Sequence, residues 1–284
     1  MQKITLLINC PDRKGIVTIT TQFILEAGGN IVYLDQHVDR EQSVFFMRLE
    51  CEFDYEAFDV FSFESDFKET FQNSFKLNYQ LFDSEYVPKM AIFVSKYDHC
   101  LYDLLGRYAS GELKVEIPLI ISNHPDLEVV AKRFEIPFKH IPVTKENKVK
   151  AEAEQIEILL KHDIDIIILA RYMQIISDDF VKEFPHQIIN IHHSFLPAFI
   201  GAKPYHAAFK RGVKIIGATS HYATADLDEG PIIEQEIVRV SHIHAVNDFI
   251  LKGRDLEKMV LARAIKAHIE HKVLVYGNKT VIFS

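Results

Sequence analysis

The chain has 284 residues, 48% hydrophobic and 25% charged, with 11 Gly and 10 Pro; this length suits one large domain or two ordinary ones, and the composition excludes a disordered, collagen-like or coiled-coil chain. The formal net charge of −8 excludes nucleic-acid binding through a basic surface, which needs clustered Lys and Arg to displace phosphate counterions. The charge is uneven: residues 1–86 hold 7 Lys+Arg and 15 Asp+Glu, a net of −8, whereas residues 87–284 hold 25 of each.

The first region also carries 11 of the 21 Phe and only one of the 14 His, His37. Such a split predicts two domains. Residues 3–9 read as a strand ended by Pro11. Ile16, Ile19, Phe23, Ile24 and Ala27 have the spacing of an amphipathic helix, stopped by Gly28-Gly29-Asn30. The runs IVYLDQHVD and SVFFMRLECEF read as two strands around a turn at Arg40-Glu41. Residues 55–73 carry Phe58, Phe61, Phe67 and Phe71 at broadly helical spacing, and FKLNYQLF closes the region as a strand. The order βαββαβ predicts a small ferredoxin-like domain over residues 1–84.

After a polar linker the pattern becomes alternating strand and helix from residue 88 to 284. KMAIFVS, VEIPLIISN, FKHIPV, IDIIILARYM and HQIINIHHS read as strands, with helices between them. Such alternation predicts an α/β, Rossmann-like second domain with a mostly parallel sheet covered on both faces. Residues 214–225 and 231–240 read as a further strand pair, LEKMVLARAIKAHIEH as a long helix, and VLVYGNKTVIF as a hairpin with Gly-Asn at its turn. Cys10, Cys51 and Cys100 form no CxxC pair, which favours reduced thiols over a disulfide framework. With no signal-peptide core and no run of apolar residues long enough for a membrane span, a cytoplasmic protein is expected.

Ligands of parallel sheets sit at the carboxyl ends of strands. One strand ends in Asn190-Ile191-His192, and alternation puts Asn190 and His192 on one side of it. An amide and an imidazole there suit a polarised carbonyl: one donates to an oxyanion, the other exchanges a proton. Ala225-Asp226-Leu227-Asp228-Glu229-Gly230-Pro231 is an acidic turn; such a turn is more often solvated than catalytic, but a carboxylate there is able to orient the imidazole or activate a water. His192, His193, His206 and His221 lack an HExxH or CxxC context, so no metal is expected. The chain has no GxGxxG, GxxxxGK[ST] or GxSxG motif, so no nucleotide cofactor is expected either.

Asn190-Ile191-His192, Ser194-Phe195-Leu196-Pro197 and, about 36 residues beyond His192, Asp228-Glu229-Gly230-Pro231-Ile232-Ile233 together resemble the signature of the folate-dependent formyltransferases and deformylases. Ser95–Leu101, Ile121–Leu127, Gly201–His206 and Tyr276–Lys279 extend the likeness over almost the whole chain, and it is similar to the deformylase branch of that family. The resemblance implies hydrolysis of 10-formyltetrahydrofolate to tetrahydrofolate and formate, supplying formate for purine synthesis and balancing one-carbon pools, with the folate as substrate and no bound cofactor. It implies Asn190, His192 and Asp228 as the catalytic trio. It implies folate contacts from Tyr172, Met173, Gln174, Ile175 and Ile176, from Ser194 and His221, and from Ala223, Thr224 and Asp226. Met173, Ile175 and Ile176 have an alternative reading as core.

Related glycinamide ribonucleotide transformylases carry a Gly/Ser-rich loop after the first strand of this domain. Here the loop is Ser95-Lys96-Tyr97-Asp98-His99, a poor anion nest, which favours water over a phosphorylated amine as acceptor. The N-terminal region resembles an ACT domain. That likeness implies a small amino-acid effector near Asp12, Gly15, Ile16 and Asn30, or a purely structural module, and a homo-oligomer paired through sheet edges. Two alternatives remain: formyl transfer to an unidentified amine, and a non-catalytic folate sensor.

Overall fold

Alternating apolar positions on four strands build the first sheet of the computed structural model, which describes residues 1–55, 58–198 and 204–284, apart from the side chains of 72–74. The elements are β1 (Gln2–Pro11), α1 (Ile16–Glu26), β2 (Asn30–Asp39), β3 (Val44–Phe53), α2 (Val60–Phe75) and β4 (Asn78–Asp83). All pairs are antiparallel in the order β2-β3-β1-β4, the split βαβ arrangement expected. Ile4, Leu6, Ile8 and Cys10 of β1 and Met47, Leu49, Cys51 and Phe53 of β3 share one apolar core with the helices. The phenylalanine stripe differs from the expected one. Phe63, Phe67 and Phe71 point inward, whereas Phe61 is 79% exposed and Phe58 precedes the helix and stacks on Phe53. Asp59 caps α2 by accepting from the Ser62 amide at 3.0 Å, which sets the helix phase.

The opposite face of this sheet is also covered. Leu7, Phe46 and Arg48 point there and are buried. Arg48 donates to the carbonyls of His271 and Glu270 at 2.9 and 3.0 Å and to Glu50 at 2.6 Å. The His271 ring stacks on Phe82 at 3.6 Å. The chain thus divides into one unit of Met1–Val87, Glu270–Leu274 and Val281–Ser284, and another of Pro88–Ile269 and Val275–Thr280. Within the expected domain of 88–284, the last segments Glu270–Leu274 and Val281–Ser284 group with the first unit, where the carbonyls of Glu270 and His271 give buried Arg48 the partners that a charge on an otherwise apolar strand needs.

The second unit contains β5 (Met90–Val94), α3 (His99–Ala109), β6 (Ile120–Ser122), α4 (Glu128–Arg133), β7 (Phe138–His140), α5 (Lys148–Lys161), β8 (Ile166–Leu169), α6 (Asp178–Glu183), β9 (Ile188–His192), α7 (Pro204–Arg211), β10 (Ile215–Tyr222), β11 (Ile232–Arg239) and α8 (Val246–Ile269). β12 (Val273–Tyr276) and β13 (Lys279–Ile282) form the closing hairpin. The seven-stranded sheet runs β11-β10-β9-β8-β5-β6-β7. β5 to β9 are parallel, and β10 and β11 add antiparallel strands at one edge. β6 is shorter than its apolar run because Pro118 precedes it and lacks the N–H a ladder needs. β8 stops at Leu169, two residues before Arg171, which adopts the left-handed region at φ 64. The helix α7 lies between β9 and β10; Pro204 opens it, where its missing N–H costs nothing. The expected Gly201-Ala202-Lys203 segment lies outside the described residues.

Burial first, and then Arg48, lowers the His271 imidazole from 6.5 to about 4. The unfolded chain therefore binds more protons between those values, and the first unit is expected to lose stability as pH falls from about 6.5 to about 4. Urea unfolding across that range should show this loss, and His271→Asn, which tolerates the positive φ of 51, should flatten it.

Candidate active site

Asn190 and His192 lie two residues apart at the end of β9, facing β10, where Asn190 pairs with His221 and His192 with Thr219. Asp228 arrives from the β10–β11 connection. His192 Nδ1 is 3.2 Å from Asp228 Oδ1. His221 Nδ1 donates to the Tyr222 carbonyl at 2.9 Å, which leaves its Nε2 as an acceptor in the neutral ring. Asn190 Nδ2 donates to that Nε2 at 3.1 Å, so the amide is turned with its second N–H left without a partner among the described residues. The His221 Nε2–Asp228 Oδ1 separation is 3.7 Å, longer than a hydrogen bond. Burial would raise the Asp228 carboxyl, but the hydrogen bond from His192 and the nearness of the His192 and His221 rings outweigh it and hold Asp228 well below the usual carboxylate range. It is an anion at neutral pH. His192 Nε2 is buried with no hydrogen-bond partner among the described residues.

The loop that delivers Asp228 is closely fixed. Asp228 sits at φ 58, a left-handed conformation that Asp tolerates through local hydrogen bonding. Ala223 N bonds Ile188 O at 2.8 Å and Tyr222 N bonds Pro231 O at 2.9 Å. Asn278 at the β12–β13 turn donates to Glu229 O at 2.9 Å. Gly230 packs so closely that a Cβ would run into the Tyr222 carbonyl.

Beside the trio lies an open cleft of about 400 Å³ lined by Leu169, Gln174, Ile175, Ile176, Asn190, His221 and residues 223–228. The segment after β8 is held by α5: Glu152 accepts from the Ser177 amide at 3.0 Å, and Gln155 donates to the Tyr172 hydroxyl at 3.0 Å. Of the residues expected to hold folate, Gln174, Ile175, Ile176, His221, Ala223, Thr224 and Asp226 line this cleft. Tyr172 does not: its ring is buried edge-on against Phe93. Met173 is 45% exposed and outside the lining. Ser194 is buried and donates to Ala198 O at 2.7 Å, which shapes the turn after β9. Leu169, Ala225 and Leu227 line the cleft without having been singled out; each falls inside a segment that was, and strand-end alternation would have added Leu169. In the first unit, Ile16 belongs to the core, Gly15 precedes α1 at φ 94, and Asp12 and Asn30 are exposed.

A second buried polar cluster surrounds Glu257 of α8. Its carboxylate accepts from Tyr205 at 2.6 Å, meets His99 Nε2 at 2.8 Å and lies 3.4 Å from Arg171 Nε. Burial would raise Glu257, but His99, Arg171 and Tyr205 outweigh it and lower it. Burial and then Arg171 push the His193 imidazole down to about 3, so it is neutral. His99, Cys100 and Glu257 bring ligand-type atoms within 4.8 Å of one another, yet burial keeps the Cys100 thiol protonated and Arg171 already supplies the positive charge, so the donor set does not suit a metal ion.

Residues 88–265 match the formyl transferase family, and the five parallel strands, the antiparallel edge and the Asn–His–Asp site define a protein of that class. The chain is 53% identical to the formyltetrahydrofolate deformylase of Synechocystis sp. over 99% of its own length and 98% of that protein's. Its fold superposes on the crystal structure of a formyltetrahydrofolate deformylase from Pseudomonas syringae with a TM-score of 0.96 and 45% identity, covering 100% of this chain and 95% of the other. A glycinamide ribonucleotide transformylase from Symbiobacterium toebii matches less of it: TM-score 0.66, 27% identity, 72% of this chain and 98% of that one. The chain belongs to the formyltetrahydrofolate deformylase family.

Because Gly230 allows the loop to reach β10, Gly230→Ala is expected to displace Asp228 and lower turnover of 10-formyltetrahydrofolate by roughly 100-fold, the order lost on a ~1 Å misplacement. Steady-state kinetics on the variant, with circular dichroism to show that it is folded, provides the check.

Proposed function

We propose that this chain hydrolyses 10-formyltetrahydrofolate to tetrahydrofolate and formate. The observation that carries the proposal is the His192–Asp228 contact at 3.2 Å beside Asn190, set against a cleft whose apolar walls suit a pterin. The family membership supports the substrate. Ionised Asp228 keeps a proton on His192 Nδ1, which leaves Nε2 as the basic atom of the ring. Nε2 takes the proton of the attacking water as oxygen bonds to the formyl carbon. The imidazolium, stabilised by Asp228, then faces the oxyanion together with the free N–H of Asn190 and passes its proton to the leaving folate nitrogen. Asp228 is too weak a base to deprotonate water itself; it orients His192 and fixes its charge. The formate would serve purine synthesis and the balance of one-carbon pools.

We further propose an effector role for the ACT-like unit, taking a small amino acid, and a homo-oligomer formed at its exposed sheet edges β2 and β4. A cytoplasmic location is supported by three buried free cysteines. Transfer to an amine is the less favoured reading, since the Ser95–His99 loop lacks glycine.

Incubated with 10-formyltetrahydrofolate and no amine, the protein is expected to release formate and tetrahydrofolate one to one; substrate that stays intact would sink the proposal. Asn190→Ala removes an oxyanion donor and should lower kcat by ~100- to 1000-fold. Asp228→Asn, which favours the wrong His192 tautomer, should lower it by ~10,000-fold. Near wild-type turnover in either variant would reassign that residue.

A further inference from the structure

The strand order reverses between β5 and β8: β6 and β7 lie to one side, β8 and β9 to the other. Open parallel sheets bind ligands in the crevice at such a reversal, outside the strands' carboxyl ends. In this chain that place is filled from within. His99 starts the helix after β5, Arg171 follows β8, and both meet Glu257, which is 1% exposed. Tyr205 closes the group from α7 at 2.6 Å from Glu257. The Arg171 guanidinium also lies over the Tyr97 ring at 4.9 Å. The packing reaches the catalytic strand, because the ring of His193, next to His192, lies 6.0 Å from that of Tyr205.

An unprotonated amine is a stronger nucleophile than water towards a formyl carbon. A hydrolase must therefore keep amines out by shape rather than by reactivity. We propose that the Glu257-centred cluster is an internal plug in the switch-point crevice that confines the nucleophile to water. The inference rests on the hydrolytic reading above. Were an amine admitted, its nitrogen would bond to the formyl carbon while the bond to the folate nitrogen breaks. The amine proton would pass to that nitrogen, giving a formamide and tetrahydrofolate.

The test adds glycinamide to the full chain with 10-formyltetrahydrofolate and follows formate, tetrahydrofolate and formylglycinamide. Wild-type protein is expected to give formate and tetrahydrofolate one to one at every glycinamide concentration. Tyr205→Ala, which removes bulk from the crevice, is expected to give formylglycinamide at least ~10-fold above the background of a reaction without protein. Tyr205→Phe, which keeps the ring and loses only the hydrogen bond, is expected to remain hydrolytic. Arg171→Ala is a second opening should Tyr205→Ala not fold. Formylglycinamide from the wild type would overturn the plug. So would opened variants that still release formate and transfer none, or equal transfer by Tyr205→Phe and Tyr205→Ala. If the wild type releases no formate at all, the hydrolytic reading falls instead.

Discussion

The chemistry of the second unit depends on one carboxylate, Asp228, held ionised at the edge of an apolar cleft. A carboxyl withdrawn from water ordinarily becomes a weaker acid. Here His192 at 3.2 Å reverses that tendency, and the anion in return fixes which imidazole nitrogen carries the proton. That arrangement works only if the loop stays against β10, so the left-handed Asp228, the close-packed Gly230 and the Asn278 brace all serve the position of one side chain. His221 completes it: its backbone bond sets its own tautomer, and the tautomer sets the orientation of the Asn190 amide.

The sequence made parts of this legible for definable reasons. Asn190 and His192 follow from period-two alternation at a strand end, and Asp228 from its place in a turn between apolar runs. The βαββαβ order of the first unit is readable because its strands alternate and Gly28-Gly29 marks a helix end. The extent of the phenylalanine stripe was not, since Phe58, Phe61 and Phe63 all suit a helix and only the Asp59 cap decides the phase. Nor was the side-chain role of Tyr172, because an apolar segment that flanks a cleft and one that fills a core have the same composition. The C-terminal segments on the first sheet leave one trace in sequence, a charge at Arg48 among apolar neighbours. A charge on a buried face implies a partner but does not name it.

The same signal, a charged residue on an apolar stripe, marks the second cluster. Arg171 ends a strand-like run of isoleucines, and Glu257 shares a helix face with Gly253 and Leu261. Neither stands out by motif, because their partners His99 and Tyr205 are far away in sequence. They become recognisable only when the parallel sheet brings the ends of β5 and β8 side by side.

Stability alone is a poor reason for that cluster. Breaking into a buried ion pair is costly, yet replacing a whole pair by well-packed apolar side chains is often neutral or stabilising by ~1–4 kcal/mol. Arg171 also keeps Nε and Nη1 buried with no hydrogen-bond partner among the described residues, and a buried unsatisfied group costs about 1–3 kcal/mol. A fold selected for stability would fill this crevice with leucine. Polar fill has a different consequence: directional bonds from three elements fix where each side chain stands, so the wall next to His193 keeps one shape. Rigid shape is what discrimination by size requires, since water and a small amine differ by only a few heavy atoms. The cost of the two partnerless Arg171 nitrogens is then the cost of a fixed boundary beside His193.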